Sequence, residues 1–577
     1  MFVCYRSTFR VFIIALGLCS LAVAQSSPKG SQSPLRFEVS FPQQQSDKAL
    51  DGRLYVMLSV DDKSEPRFRI SDRLDTQQFF GIDVDNLAPG KAATVDATAD
   101  GYPAHSLATI PPGDYYVQAL LNIYQTYHLA NGHTVKLPPD QGEGQKWNEK
   151  PGNLYSQPEK MHIDPAHGGV VKISLTERIP PLEEPKDTKY VKHLKIKSEL
   201  LTKFWGTPMY IGAVVLLPEG FDEHPNAHYP LLVYQSHYSH DFRAVVEWRD
   251  TPPTPEMQGR ERLRSEYAYQ FYQDWTSGRL PHVLLLQLQH ANPYYDDSYA
   301  VNSANVGPYG DAITQEVIPA VEQKFRGVGQ GWARATYGGS TGGWEAAAMQ
   351  IFYPTFFNDA FIFCPDPVDF RAYQTVNLYD DKNALWNESN WGKVPRPGER
   401  ETNGSLVTTM DRMVQRERVL GSHGRSTDQF DIWQAVYSPV GDDGYPKMFL
   451  DPATGIINHD VADYWKEHYD LRYILQRDWK TLGPNLVGKL HFTVGDMDSY
   501  YLNDAVHLMQ NFLDTTNYPY YAGDFDYGPG RPHCYTGKDD LPIAAAGLTT
   551  NQRVIRKAVE RMLQTAPAGA DVASWQY

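Results

Sequence analysis

The chain has 577 residues, 41% of them hydrophobic and 21% charged, so it is too long for one comfortable core and too apolar to be disordered. A formal net charge of −16 argues against nucleic acid or an anionic membrane surface as a main partner. The 37 Tyr and 12 Trp fit either sugar-stacking platforms or Tyr-rich β-structure, and strand preference favours the second.

The N-terminus has the pattern of a secretory signal: Arg6 and Arg10, an apolar run from Val11 to Leu21, then the small-x-small site Ala22-Val23-Ala24. That run is too short to cross a hydrocarbon core of about 30 Å as a helix. Leu18 is too bulky for lipoprotein cleavage before Cys19, and no later segment is apolar enough to span a membrane. The expectation is a secreted or periplasmic protein with residues 1–24 removed. Cleavage makes the chain two charges more acidic and leaves only Cys364 and Cys534. Two cysteines permit one disulfide and are too few for a zinc–thiolate cluster.

Residues 25–36 are Ser/Pro/Gly-rich and read as a flexible leader. From 37 to 179 short strand patterns follow one another: Arg53 to Leu58, Phe79 to Val84, Tyr115 to Leu120 and Val170 to Leu175, with a hairpin turn at Asn131-Gly132. Strands with turn signals and no long helix predict an all-β, immunoglobulin-like sandwich. The stretch 180–209 reads as a linker and lead-in, with the stiff Pro180-Pro181-Leu182-Glu183-Glu184-Pro185 as the domain boundary.

From 210 to 577 the pattern is α/β. Val214 to Pro218, Leu231 to Tyr234, Val283 to Leu288 and Leu490 to Val494 are apolar, turn-bounded runs of the kind that form buried strands. Asp311 to Phe325 has helical apolar spacing between them, so a mostly parallel sheet with helices on both faces is expected. The stretch 366–488, rich in Trp, Tyr, Asp and Gly, is too long for one connection and reads as an insertion or lid.

The sharpest local signal is Gly338-Gly339-Ser340-Thr341-Gly342-Gly343, a G-x-S-x-G. A short strand, Ala333 to Tyr337, precedes it, and a strong helix former, Trp344 to Phe352, follows it. Strand, sharp turn, serine and helix form the context in which this motif presents a nucleophile. Gly338, Gly342 and Gly343 let strand and helix pass closely, and the Thr341 N–H at the helix start faces a developing oxyanion. A Gly-rich βα turn without a nucleophile is the plain alternative.

A serine needs a base oriented by a third group, and on this architecture the order along the chain is Ser, acid, His. Asp496 and Asp498 both follow the late strand Leu490 to Val494, and strand geometry alone does not choose between them. Two histidines follow Asp498. His507 lies in a helical pattern, Leu502 to Leu513, whereas His533 lies in a Gly/Pro loop able to present a side chain, so His533 is the expected base. Asp366, Asp369 and Asp460 have no metal-ligand spacing and read as solvated acids. Gln289-His290-Ala291-Asn292 follows a buried strand, where it has room to line a pocket.

From about 210 to 562 the chain resembles the esterase D-like family of α/β-hydrolases, which includes enterochelin and feruloyl esterase relatives. The resemblance is carried by Val215-Leu216-Leu217-Pro218-Glu219-Gly220-Phe221, Tyr229-Pro230-Leu231-Leu232-Val233-Tyr234, Glu316-Val317-Ile318-Pro319-Ala320-Val321-Glu322, the nucleophile Ser340, the G-x-x-D of Gly495 and Asp498, and His533. It selects Asp498 over Asp496. Where the family has His-Gly this chain has Ser236-His237, which implies the Tyr238 N–H as the second oxyanion donor. His533-Cys534 is similar to tannase-type esterases, but Gly339 stands where those have a cysteine.

These features predict an exported hydrolase of a carboxylic ester on a small-molecule or carbohydrate-linked substrate, using Ser340, His533 and Asp498 without cofactor or metal. The rivals are a serine peptidase of prolyl-oligopeptidase type, whose propeller residues 37–179 are too short to form, and an inactive glycan-binding protein on a hydrolase scaffold. Cys364 ends the strand after the nucleophile helix, on the Ser340 rim, and Cys534 adjoins His533, so the two are expected to form a disulfide beside the site.

Overall fold

A computed structural model describes residues 34–237, 247–537, 545 and 547–577. The expected signal, most of the leader and Tyr238 lie outside them. Residues 36–178 form two sheets besides a separate two-stranded hairpin. In the smaller, Arg36–Ser40 pairs parallel with Val170–Ser174 and antiparallel with Ala93–Val95. In the larger, Leu50–Ser59 lies between Gln78–Leu87 and Gly113–Ile123, all antiparallel.

Alternation along Leu50–Ser59 builds two cores. Neighbouring side chains of an extended chain point to opposite faces. Leu54, Val56 and Leu58 join Phe37, Val39 and Phe80 between the sheets. Tyr55 and Met57 join Phe79, Leu120, Val419 and Leu420 on the other face. The expected strand series forms sheets that share a buried cluster; the parallel pair and the short strands at 154–155 and 177–178 are features the immunoglobulin-like sandwich expectation did not include. The expected hairpin forms, Gln125–His128 with Thr134–Leu137, but its Val135 and Leu137 belong to the core of the second sheet region.

Residues 179–188 carry no regular structure. Beyond them an eight-stranded sheet forms from β1 (Val191–Ser198), β2 (Met209–Leu216), β3 (Leu231–Gln235), β4 (Leu284–Gln289), β5 (Arg334–Gly339), β6 (Asp359–Phe363), β7 (Leu490–Gly495) and β8 (Asp524–Gly528). Its order is β1-β2-β4-β3-β5-β6-β7-β8. Strand β2 is antiparallel to both its neighbours, and β4, β3, β5, β6, β7 and β8 are mutually parallel. Strand β1 lies in the stretch read as linker and lead-in, because Lys192, Lys195 and Lys197 mask its alternation.

Helix α1 (Thr341–Phe352) and helix Thr550–Thr565 cover opposite faces. The Tyr337 hydroxyl reaches Asn551 at 2.7 Å, while Gly338, one residue on and so facing the other way, lies against Gly342 of α1. A mostly parallel sheet of this order, with helices on both faces, is the α/β-hydrolase architecture. The expected helix 311–325 runs from Tyr309 to Phe325 with a π-helical stretch at Ala312–Val317.

The insertion holds two hairpins, Trp386–Ser389 with Gly392–Pro395 and Pro397–Arg400 with Leu406–Thr409. It also holds helix α2 (Met410–Leu420) and helices Gln429–Tyr437, His459–His468 and Leu471–Leu482. Its aromatic residues are mutual core: Trp465 packs on Phe449 at 4.7 Å and on Tyr437 at 5.3 Å, and Tyr373 packs on Trp433 at 5.0 Å. Tyr and Trp therefore serve helix packing as well as strands. Among the described residues no helix is long and apolar enough to cross a membrane.

Candidate active site

The turn at Ser340 is strained. Strand β5 ends at Gly339, α1 begins at Thr341, and Ser340 between them has φ 60° and ψ −125°. A non-glycine residue in such a region costs on the order of 1–3 kcal/mol and persists only where its surroundings over-determine it. Here the Ser340 N–H donates to the Phe363 carbonyl at 3.0 Å, and its own carbonyl accepts from Gly343 at 2.9 Å and Asp366 at 3.2 Å. The crossing is tight enough to require glycine: a Cβ at Gly342 would lie 2.0 Å from the Gln235 carbonyl oxygen.

Three of the expected residues meet. His533 Nε2 is 2.9 Å from Ser340 Oγ, and His533 Nδ1 is 2.7 Å from Asp498 Oδ2. Asp498 is buried, and its Oδ1 accepts the N–H groups of Tyr500 at 2.9 Å and Leu502 at 3.3 Å, so the carboxylate is fixed on both oxygens. Asp496 instead accepts the Gly530 N–H at 2.6 Å and ties down the loop that carries His533. His507 stacks on Tyr527 with ring centres 4.4 Å apart, on helix Asn503–Leu513. The rings of Tyr500 and His533 pack in a T shape with centres 5.1 Å apart. Burial opposes a charge on His533, but Cys534 and Asp498 outweigh it and hold its pKa well above the ordinary value.

Thr341 is buried at the start of α1, where its N–H has no helical acceptor. Its Oγ1 lies 3.0 Å from Asp366 Oδ2, 3.2 Å from the Tyr299 hydroxyl and 3.2 Å from His237 Nε2. His237 was expected at the site only as the residue at the family's His-Gly position; Tyr299 and Asp366 were not expected there. Asp366, expected as a solvated acid, is buried and also accepts from Tyr299 at 2.6 Å. Its place directly after β6, on the same rim as Ser340, was the available signal. Asp369 is likewise buried, paired with Arg371 at 2.6 Å and Arg472 at 2.7 Å, because it braces the insertion; Asp460 is exposed in the first turn of its helix. His290 is buried, with Nδ1 2.8 Å from Ser298 Oγ. Tyr238 lies outside the described residues.

The expected disulfide is absent from the structure. Cys364, buried, and Cys534, exposed, are both free thiols. The two sulfurs lie within 4.8 Å of one another without being bonded; the neighbouring Cys364 and the charge of His533 pull the pKa of Cys534 well below the ordinary value, while burial pushes that of Cys364 up. Two groups of potential metal ligands have their ligand atoms within 4.8 Å of one another, Cys364–His533–Cys534 and His237–Asp296–Asp297. In each, the imidazole already faces protein partners with both nitrogens, so a metal would have to displace one of them.

No protein-family model matches this chain. No curated protein matches it either. Solved structures similar to it include a ferulic acid esterase at 12% identity and TM-score 0.36, covering 65% of this chain and 99% of that one. An S-formylglutathione hydrolase from Agrobacterium tumefaciens is similar at 12% identity and TM-score 0.35, covering 65% and 98%. A ferulic acid esterase from Anaeromyces mucronatus is similar at 12% identity and TM-score 0.27, covering 64% and 92%. The strand order, and not these likenesses, shows the sheet to have the α/β-hydrolase fold.

Proposed function

We propose that this chain is an exported serine hydrolase that cleaves a carboxylic ester, with Ser340 as nucleophile, His533 as general base and acid, and Asp498 as the group that orients it. The reading is carried by one observation: the Asp498–His533–Ser340 relay at 2.7 Å and 2.9 Å, beginning on a buried carboxylate and ending on a strained serine. His533 takes the Ser340 proton as Oγ attacks the ester carbonyl. The carbonyl oxygen becomes negative against the Thr341 N–H, with the Tyr238 N–H as second donor. His533 then protonates the departing alcohol, and in the second half it activates water against the acyl-enzyme. Asp498 keeps the imidazole in the tautomer with Nδ1–H and stabilises its cation.

Export is read from residues 1–24. The bounds 37–179 for the sandwich, with its immunoglobulin-like character, and 210–577 for the catalytic region are part of the same proposal. The substrate class is a small-molecule or carbohydrate-linked ester. Short p-nitrophenyl esters, an acylated sugar and chromogenic peptides, assayed side by side, test the reading. Ester turnover that falls by on the order of 10⁶ in Ser340→Ala, with the melting temperature nearly unchanged, is expected. Turnover of peptides alone favours the peptidase; activity of Ser340→Ala within about tenfold of wild type removes Ser340 from the nucleophile role.

A further inference from the structure

We infer that His237 is a positioning residue of the oxyanion site: clamped by Asp296 and Asp297, its imidazole holds the Thr341 side chain, and through it the Thr341 N–H, where the acyl oxygen becomes negative. This rests on the ester-hydrolase reading above and on Thr341 as its oxyanion donor.

The hydrogen-bond inventory fixes the direction of each proton. His237 Nδ1 is 3.1 Å from Asp296 Oδ1 and 3.1 Å from Asp297 Oδ2, so Nδ1 carries a hydrogen. On the other side, Asp366 Oδ2 accepts from the Tyr299 hydroxyl at 2.6 Å and stands 3.0 Å from Thr341 Oγ1, so the Thr341 hydroxyl donates to Asp366. Thr341 Oγ1 is then an acceptor toward His237 Nε2 at 3.2 Å, which gives Nε2 a hydrogen as well. Both nitrogens are protonated, and His237 is an imidazolium.

Its charge matters because of what surrounds it. Asp296 and Asp297, with the ring of Tyr295 at 5.7 Å, face it from the loop after β4; Thr341 and Glu345 face it from α1, and Asp366 from the loop after β6. Burial pushes Asp296 up to about 7 and Glu345 well above the carboxylate range, which limits the negative charge there at neutral pH. Burial also opposes the charge on His237, but Asp296 and Asp297 outweigh it and hold its pKa well above the ordinary value. With His237 neutral, the helix start that receives the oxyanion faces the Asp297 carboxylate, whose pKa is held down, with nothing to offset it. The imidazolium is present through neutral pH and is lost as pH rises through the raised value, so kcat falls on the alkaline side.

His237→Gln tests this, since glutamine retains a donor for Thr341 and has no charge; His237→Ala removes both. Steady-state kinetics on a short p-nitrophenyl ester across the neutral and alkaline range should show kcat reduced by about 10- to 100-fold in His237→Gln. That loss is smaller than the roughly 10²- to 10³-fold of removing an oxyanion donor outright. KM should change little, and the alkaline fall of kcat should vanish in the variant. A wild-type protein that turns over no ester overturns both this inference and the function it rests on. Ester turnover with a His237→Gln kcat within about twofold of wild type, or a loss confined to KM, overturns this inference alone. Should neither variant fold, a wild-type kcat that stays flat into the alkaline range overturns it.

Discussion

In the proposed mechanism His533 acts as a base with the Asp498 carboxylate and the Cys534 sulfur beside it. Cys534 and Asp498 raise its pKa well above the ordinary value against the effect of burial. A general base works only when neutral, so kcat/KM should rise with pH through that raised value. Cys534→Ser removes the ionisable sulfur but leaves Asp498 in place. His533 should then titrate at lower pH, and the acid limb of the kcat/KM profile should shift to lower pH with it. An acid limb that does not move would show that the sulfur carries no charge beside His533. The two carboxylates after β7 divide the remaining work. Asp498→Asn should lower kcat by roughly 10⁴, through loss of the correct imidazole tautomer. Asp496→Asn removes a carboxylate that accepts the Gly530 N–H at 2.6 Å, and should cost about 1 kcal/mol of stability with far less effect on kcat. Steady-state kinetics of the two variants beside their urea midpoints separates these outcomes.

The passage of β5 into α1 is the element on which the site depends, and its tolerance is narrow. A methyl group at Gly342 would sit 2.0 Å from the Gln235 carbonyl oxygen, a backbone atom held in β3. Gly342→Ala should therefore destabilise the fold by about 3 kcal/mol or more, read as a lower denaturant midpoint, because neither strand nor helix can yield. This element was legible in the sequence because all of its determinants are local: an apolar run, glycines at the crossing and a helix former after Ser340. So was the loop histidine, whose Gly/Pro surroundings exclude a helix. The choice of Asp498 over Asp496 was not legible from strand spacing and needed the G-x-x-D pattern, since the difference lies in which carboxylate the returning loop meets. Asp296 and Asp297 were illegible for the same reason, whereas His237 stood at the family's His-Gly position and Asp366 directly after a strand on the Ser340 rim, with nothing local to join either to Thr341. All four come from the ends of three different strands and meet only once the sheet has formed. The insertion resisted reading because its elements are held by aromatic packing between residues far apart in sequence, as in Tyr373 with Trp465 at 6.0 Å.

Across the whole molecule, the N-terminal sheets are built into the region that carries Ser340 and do not hang from it. Arg53, buried in the larger N-terminal sheet, donates to the carbonyls of Val419 at 2.9 Å and Arg418 at 2.7 Å, the last turn of α2, and pairs with Asp83 and Asp100. The Tyr55 hydroxyl donates to the Leu420 carbonyl at 2.6 Å, and Val419 and Leu420 are buried against Tyr55, Met57 and Phe79. The other end of α2 continues the hairpin of Pro397–Arg400 and Leu406–Thr409. There Arg400 donates from its N–H to the Ser499 carbonyl at 2.8 Å and from Nε to the Asp498 carbonyl at 2.9 Å. A second path runs through Arg73 of the N-terminal region, which pairs with Glu399 at 3.2 Å. The N-terminal sheets, α2, hairpin and the Asp498 loop thus form one continuous mechanical connection. Interfaces inside a chain normally permit relative motion unless they are apolar and well buried, and here the ionic contacts surround a buried cluster of Val419 and Leu420 with Tyr55, Met57 and Phe79. The expected behaviour is a single cooperative transition in scanning calorimetry. Arg53→Ala leaves two carbonyls and two carboxylates without their shared partner. Asp83 and Asp100 still reach water, which places the cost near the lower end for a broken buried pair, about 3 kcal/mol. The variant should melt in two steps, with the N-terminal sheets uncoupled from the region that carries Ser340, and its kcat should fall as the Asp498 loop loses its brace. Two transitions already present in the wild type, or a variant with one transition and full activity, would show that the N-terminal sheets do not support the site.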